Sequence, residues 1–426
     1  MIPTDTTVTV NQRGIARIRA GHPWIYRPDI VSGPQTDAGT GGPVIVTVVD
    51  ARGRRLGCAT WAATARLALR MLTRAGTPDD ANAPDAKGDA RGTLGEAGLE
   101  SLLTWVERQF PLARARRAAL NLNRDAYRVL HAESDRVPGL IVDVYGDAAV
   151  IQTTSVAMNA VRDRLAPRLA KWLSARIVIA RDDGSARDFE DLPRFAGVLV
   201  GGGDTRVRYR IGENLLEADL ITDGKTGGFL DQTDNHLAVA ALAPDNARAI
   251  DAFTYHGGFA LALARRGGAV LATDESDAAV ARARDNAQRN GLANLTVEQD
   301  NAFDRLRRLE SEGETFDVVV LDPPALAKRG STVGHRPDAA LAAADRAYHE
   351  LFLRGARITA PGGLLVLCSC SGRVTRAHFE TLVTESLADS GRMAQVIARY
   401  GAAADHPELA GVSETGHLKC WILRVL

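Results

Sequence analysis

The chain has 426 residues, 45% of them apolar, which is enough for two or three domains with substantial cores. Its 52 basic and 52 acidic residues give a formal net charge of zero, which excludes a protein that simply coats nucleic acid. Four cysteines, Cys58, Cys368, Cys370 and Cys420, have neither a disulfide-framework spacing nor a zinc-type ligand pattern, so a reducing compartment and no metal are expected.

Residues 1–10 lack the charge and apolar core of a signal peptide, and no apolar run reaches membrane-spanning length, so a cytoplasmic protein with no membrane partner is expected. Charge is unevenly placed: residues 1–75 carry ten Arg against four Asp. Short β-like runs at Val8–Val10, Pro43–Val49, Leu56–Ala59 and Arg66–Leu72, separated by Gly, Pro and Asp, predict a small β-rich module. Its Arg excess, with Arg52, Arg54 and Arg55 near a turn, is a signal for RNA, as are the aromatics of His22-Pro23-Trp24-Ile25-Tyr26, which can stack on bases or fill a core. Residues 76–100, rich in Gly, Ala, Pro and Asp, read as a flexible acidic linker.

Over 101–206 a second module is expected. Leu99–Leu122 has helical periodicity; Arg128–His131, Leu140–Asp147 and Ala149–Gln152 are strand-like; Ala157–Ser174 is helical; and strands follow near Arg176–Ala180 and Gly197–Val200. From about Val207 to the end, strands and helices alternate as in a doubly wound parallel sheet, giving an α/β chain throughout.

In this last part Ala249–Phe259 reads as a strand entering the glycine turn Tyr255-His256-Gly257-Gly258, followed by a helical run. The glycines lack the spacing that brings a helix end onto a pyrophosphate, which disfavours a dinucleotide. Asp251, Asp274, Asp300 and Asp322 each close an apolar run, and acidic groups at successive strand ends suit the ribose hydroxyls, adenine amino group and cationic methionyl end of S-adenosylmethionine. The pattern predicts a class I (Rossmann-like) methyltransferase domain.

Downstream, Leu364–Leu367 runs into Cys368-Ser369-Cys370-Ser371. Methylating a pyrimidine at C5 requires a thiolate to add first at C6, because C5 is otherwise a poor nucleophile. Strand alternation puts Cys368 and Cys370 on one face, with Cys370 nearer the C-terminal rim and a helix-like pattern beginning at Thr375, whose positive end favours a thiolate. Asp322-Pro323-Pro324 continues with Ala325 where amino-group methyltransferases carry an aromatic residue. Three readings stand: a cytosine-C5 methyltransferase, a base amino-group methyltransferase with structural cysteines, and a non-catalytic RNA-binding assembly factor.

The chain resembles the bacterial large-subunit rRNA cytosine-C5 methyltransferases of the RlmI type. The resemblance is carried by Gly21-His22-Pro23-Trp24, His131-Ala132-Glu133-Ser134-Asp135, Pro138–Asp143, Lys225–Gln232, the Tyr255 turn, Asp322-Pro323-Pro324, Cys368–Ser371 and Asp405-His406-Pro407. It implies an N-terminal PUA-like domain, a small central α/β domain and a C-terminal methyltransferase domain, with RNA as partner and a homodimer as a compatible assembly. It also implies Cys370 as nucleophile and a cofactor site lined by Asp251, Asp274, Asp300 and Asp322; Phe253, Tyr255, Gly257, Gly258 and Gln232 are expected to complete that site, and Asp322 is a candidate for removing the C5 proton by its location alone. The family usually carries Phe where Gly228 stands, Arg where Thr233 and His236 stand, and Lys where Ala325 stands, with Lys328 three residues on.

Overall fold

A computed structural model describes residues 6–34, 44–84, 96–326 and 337–426; the middle of the expected linker, 85–95, and Lys328 lie outside the described residues. The chain forms two compact units, one of residues 1–207 with 219–227 and 407–412, the other of 208–218, 228–406 and 413–426.

The first unit opens with β1 (Thr7–Val10), α1 (Gln12–Arg19), β2 (Trp24–Tyr26), β3 (Ile30–Ser32), β4 (Val44–Val49), β5 (Arg55–Trp61) and β6 (Leu67–Arg74). The strands form one sheet of order β2-β6-β5-β4-β1-β3. Helix α1 was not expected; Asn11 caps it by accepting from Gly14 N, and its apolar Ile15 and Ile18 are buried against the sheet. Within the expected linker, Pro78–Asn82 is a turn of 3-10 helix and Asp80 pairs with Arg55. Helix α2 (Glu96–Ala118) follows, then β7 (Ala126–His131), β8 (Leu140–Tyr145), β9 (Ala148–Thr153), α3 (Val156–Leu173), β10 (Ile177–Asp182) and β11 (Phe195–Gly201), with sheet order β11-β10-β9-β8-β7. One core joins the modules: Ile45, Cys58 and Leu72 pack with Leu102, Trp105, Leu130 and Val142.

Buried charge reinforces that join. Arg70, 7% exposed, is ion-paired to Glu133 at 2.9 Å and to Glu190 at 2.7 Å. Burial opposes its charge, but the two carboxylates outweigh burial and raise its pKa. Trp24 Nε1 donates to Glu133 at 2.9 Å, so the His22-Pro23-Trp24 motif docks the first module onto the second. Much of the Arg excess is likewise internal: Arg13 and Arg17 pair with Asp29, and Arg54 with Asp50. Arg116 and Arg117 hold the buried Asp135, and Arg128 forks onto the buried Asp143, which also accepts from Thr226 Oγ1 at 2.7 Å.

A two-stranded hairpin, β12 (Arg206–Ile211) and β13 (Asn214–Asp219), leads into the second unit. There the elements are α4 (Thr233–Leu242), β14 (Ala249–Asp251), α5 (Gly258–Ala264), β15 (Val270–Asp274), α6 (Asp277–Arg289), β16 (Leu295–Gln299), α7 (Ala302–Ser311), β17 (Phe316–Leu321), α8 (Pro337–Ile358), β18 (Thr359–Ser369), α9 (Arg376–Ser390), β19 (Ala394–Tyr400) and β20 (Lys419–Val425). The sheet order is β16-β15-β14-β17-β18-β20-β19. Strands β14 to β18 are parallel, and β20 joins β18 and β19 antiparallel. Strand order reverses between β14 and β17, where an open α/β sheet forms a crevice outside its C-terminal strand ends.

Candidate active site

Asp251 ends β14 and Asp274 ends β15, while Asp322 follows β17 and Cys370 follows β18. The parallel register aligns Leu321 with Leu367, so the next residues, Asp322 and Cys368, stand level. Cys370 lies two residues further out, at most about 7 Å of extended chain. Strand β18 stops at Ser369, one residue before Cys370, so the alternation expected to place both thiols on one face ends there. Thr375 caps α9 by accepting from His378 N.

The two thiols have different environments. Cys368 is fully buried, directly opposite Cys420, with the Gln232 side chain beside it. Burial, then the neighbouring Cys420 thiol, raise its pKa well above the usual value, so it stays protonated and inert. Cys370 is partly exposed, whereas Cys58, Cys368 and Cys420 are all buried. A nucleophile must reach its substrate, and exposure separates these thiols.

Asp251 is wholly buried, accepts from Thr254 Oγ1 at 2.8 Å and Ala260 N at 3.2 Å through Oδ2, and has no hydrogen-bond partner for Oδ1 among the described residues. Burial raises its pKa to about 7, with Asp274 adding to the shift. A buried carboxylate with an unused oxygen fits a cationic ligand group. This carboxyl binds more protons folded than unfolded between about pH 4 and pH 7, so the unliganded protein loses stability as pH rises through that window. Asp251→Asn should remove this fall. Urea unfolding from pH 5 to pH 8 checks it, and an equal slope in the variant would contradict the assignment.

Asp274 accepts from Tyr255 N at 2.9 Å and from Ser276 N at 3.0 Å, which fixes the glycine turn beside it. In that turn Tyr255 has a φ of 48° and stacks on His256. Phe229 packs edge-on to the Tyr255 ring, and Phe253 is half-buried. Gly257 has a φ of 92°, and a Cβ on Gly258 would lie 2.3 Å from the His236 ring. His236 therefore fills space that a side chain at 258 would need. Burial, then the charge of Arg282, lowers the pKa of His256 to about 3 and keeps it neutral. Asp300 is turned toward α7: burial works against its ionisation, but Arg308 and Arg305 outweigh that and hold its pKa low.

Three residues that sequence reasoning missed connect these parts. Tyr348 on α8, wholly buried, receives a hydrogen bond from Ser369 Oγ at 3.0 Å and one from Leu326 N, joining the end of the Asp322-Pro323-Pro324 turn to the end of β18. Burial raises its pKa to about 12. Asp231 pairs with His417 at 3.0 Å, while its carbonyl accepts from Ala403 N, which ties the Asp231-Gln232 segment to the loop before β20. Lys419 Nζ donates to the carbonyls of Ser371 at 2.7 Å and His417 at 2.8 Å. Its signal was legible: it is one of five lysines among 52 basic residues.

Comparison with known proteins agrees with this architecture. Residues 8–74 match a PUA-like domain and residues 244–410 a methyltransferase domain. Two solved structures share the fold at a TM-score of 0.76, each covering 98% of this chain and 99% of its own. One is a methyltransferase complexed with SAH (16% identity), the other is described as a SAM-dependent methyltransferase from Streptococcus mutans (15%). The methyl donor of this domain class is S-adenosylmethionine, which the buried Asp251 carboxylate and the Asp274-anchored turn fit. Ribosomal RNA large subunit methyltransferase I of Shewanella denitrificans is 32% identical over 412 residues, 95% of each chain. Its counterpart from Tolumonas auensis is 30% identical over 430 residues, 99% of this chain and 100% of that one. The chain belongs to the ribosomal RNA large subunit methyltransferase I family.

Proposed function

We propose that the protein transfers a methyl group to C5 of a cytosine in large-subunit rRNA, with Cys370 as the nucleophile. The observation that carries this reading is the partly exposed Cys370 just beyond β18, beside the β17 end that bears Asp322. Bound S-adenosylmethionine supplies an electrophilic methyl group. The Cys370 thiolate forms a bond to C6, and the electron pair displaced toward C5 makes that carbon nucleophilic. Once C5 carries the methyl group, its proton is removed, the C5–C6 double bond re-forms and the thiolate leaves. Asp322 is proposed to accept the proton on the strength of its position level with Cys368.

In the cofactor crevice Asp251 would hold the cationic methionyl end and Asp274 the ribose, and Phe253, Tyr255, Gly257, Gly258 and Gln232 would shape the walls. Asp300 would serve the adenine end, where its pairing with Arg305 and Arg308 favours an indirect role. Asp274→Ala should weaken S-adenosylmethionine binding by roughly 1–3 kcal/mol, the scale for leaving buried polar groups unpaired. Calorimetric titration giving native affinity would refute the ribose assignment.

Residues 1–75 are proposed to contribute RNA affinity, 76–100 to connect, 101–206 to form the central module and 207–426 to carry the chemistry. Because so many Arg residues of the first module are paired internally, RNA contact rests on fewer charges than the sequence count suggests. The test of the reaction is base analysis of rRNA methylated by the purified protein. Recovery of 5-methylcytosine supports the proposal, an amino-methylated base would replace it with amino-group transfer, and no labelled base would point to an assembly factor.

A further inference from the structure

Taking Cys370 as the nucleophile, the structure leaves open what makes its thiol reactive at neutral pH. Asp322 stands at the neighbouring strand end, and a carboxylate there opposes ionisation of a thiol. A cation nearby would counter that opposition, adding to the positive end of α9. Lys419 is 3% exposed and opposes Ser369 across the β18–β20 pair. Its ammonium is clipped between the carbonyls of Ser371, the residue after Cys370, and His417. The other titratable or charged groups gathered at this end of the sheet are Tyr348 on α8, Arg373 and Arg376 at the start of α9, His378 paired with Asp345, and His417 paired with Asp231. Lys419 is bonded to the turn that presents the thiol and is almost completely shielded from salt.

We infer that Lys419 is the positioning residue that holds Cys370 as a thiolate, its ammonium acting on the sulfur while its hydrogen bonds fix the Cys370-Ser371 turn. A Gln at 419 keeps donors for the two carbonyls and removes the charge; an Arg keeps both. The test is iodoacetamide alkylation of the full-length protein as a function of pH, followed on the Cys370 peptide by mass spectrometry. The other three thiols are buried, and Cys370→Ala serves as the blank.

Lys419→Gln should move the alkylation midpoint upward by about one pH unit or more, the lower end of a neighbouring charge's effect, and slow labelling at pH 7 about tenfold. Lys419→Arg should keep the native midpoint. An unchanged midpoint in a folded Lys419→Gln protein overturns the inference and leaves Lys419 a carbonyl clip. If the glutamine variant does not fold, the wild-type midpoint decides: one at or above the usual thiol value of about 8.5 overturns the inference, and one at least about a unit below it that Lys419→Arg preserves upholds it. Trapping on 5-fluorocytosine RNA separates the two claims: a shifted alkylation profile without a covalent RNA adduct in wild type would refute Cys370 as nucleophile while leaving Lys419's effect on the thiol intact.

Discussion

Cys370→Ala protein should show no methyl transfer to RNA, a loss beyond about a thousandfold, while binding S-adenosylmethionine as well as the wild type does. In the proposed mechanism the thiol acts on the pyrimidine ring, so its removal leaves the proposed cofactor contacts of Asp251 and Asp274 in place. Cys368→Ala should stay active, with roughly 1 kcal/mol of packing lost, because that thiol is buried against Cys420 and held protonated. Single-turnover transfer assays with parallel calorimetry distinguish the outcomes. An inactive Cys368→Ala protein beside an active Cys370→Ala protein would keep the mechanism and reverse the choice of thiol.

The second large effect is on stability. Arg70→Ala should destabilise the first unit by about 3–5 kcal/mol, because Glu133 and Glu190 would remain buried without their cation. Truncating the chain at residue 75 would leave the same two carboxylates unpaired, so lost RNA binding in such a truncation would mix two effects. Replacing both glutamates by Gln in the Arg70→Ala background should recover much of the loss. Urea unfolding of the three proteins reads this directly, and a loss under about 1 kcal/mol for Arg70→Ala would mean that the apolar core alone joins the modules.

The features legible in the sequence were those encoded locally. Apolar runs ending in Asp251, Asp274 and Asp322 gave the strand ends of a parallel sheet because a buried strand and its polar rim are adjacent in the chain. The thiol at 370 and the helix beginning near Thr375 were readable for the same reason. What stayed hidden depends on partners far apart in sequence. Trp24 had two readings, base platform or core, and its bond to Glu133 shows a third use that only the folded chain discloses. Arg54 and Arg55 read as a basic cluster, yet each has a carboxylate in Asp50 or Asp80. Helix α1 escaped because Gly14 interrupts a run of only eight residues. Ending β18 at Ser369 was also invisible, since Cys370 continues the apolar-polar alternation while the backbone has already left the sheet.

A covalent bond between Cys370 and C6 of a cytosine separates this proposed chemistry from amino-group transfer and from simple RNA binding. The direct measurement is incubation of the wild-type protein with S-adenosylmethionine and large-subunit rRNA carrying 5-fluorocytosine, which has no C5 proton to release, followed by nuclease digestion and mass spectrometry of the cross-linked peptide. A methylated 5-fluorocytidine on the Cys370 peptide and no adduct in Cys370→Ala are expected. An adduct mapped to another residue, or one formed equally by Cys370→Ala, would contradict it.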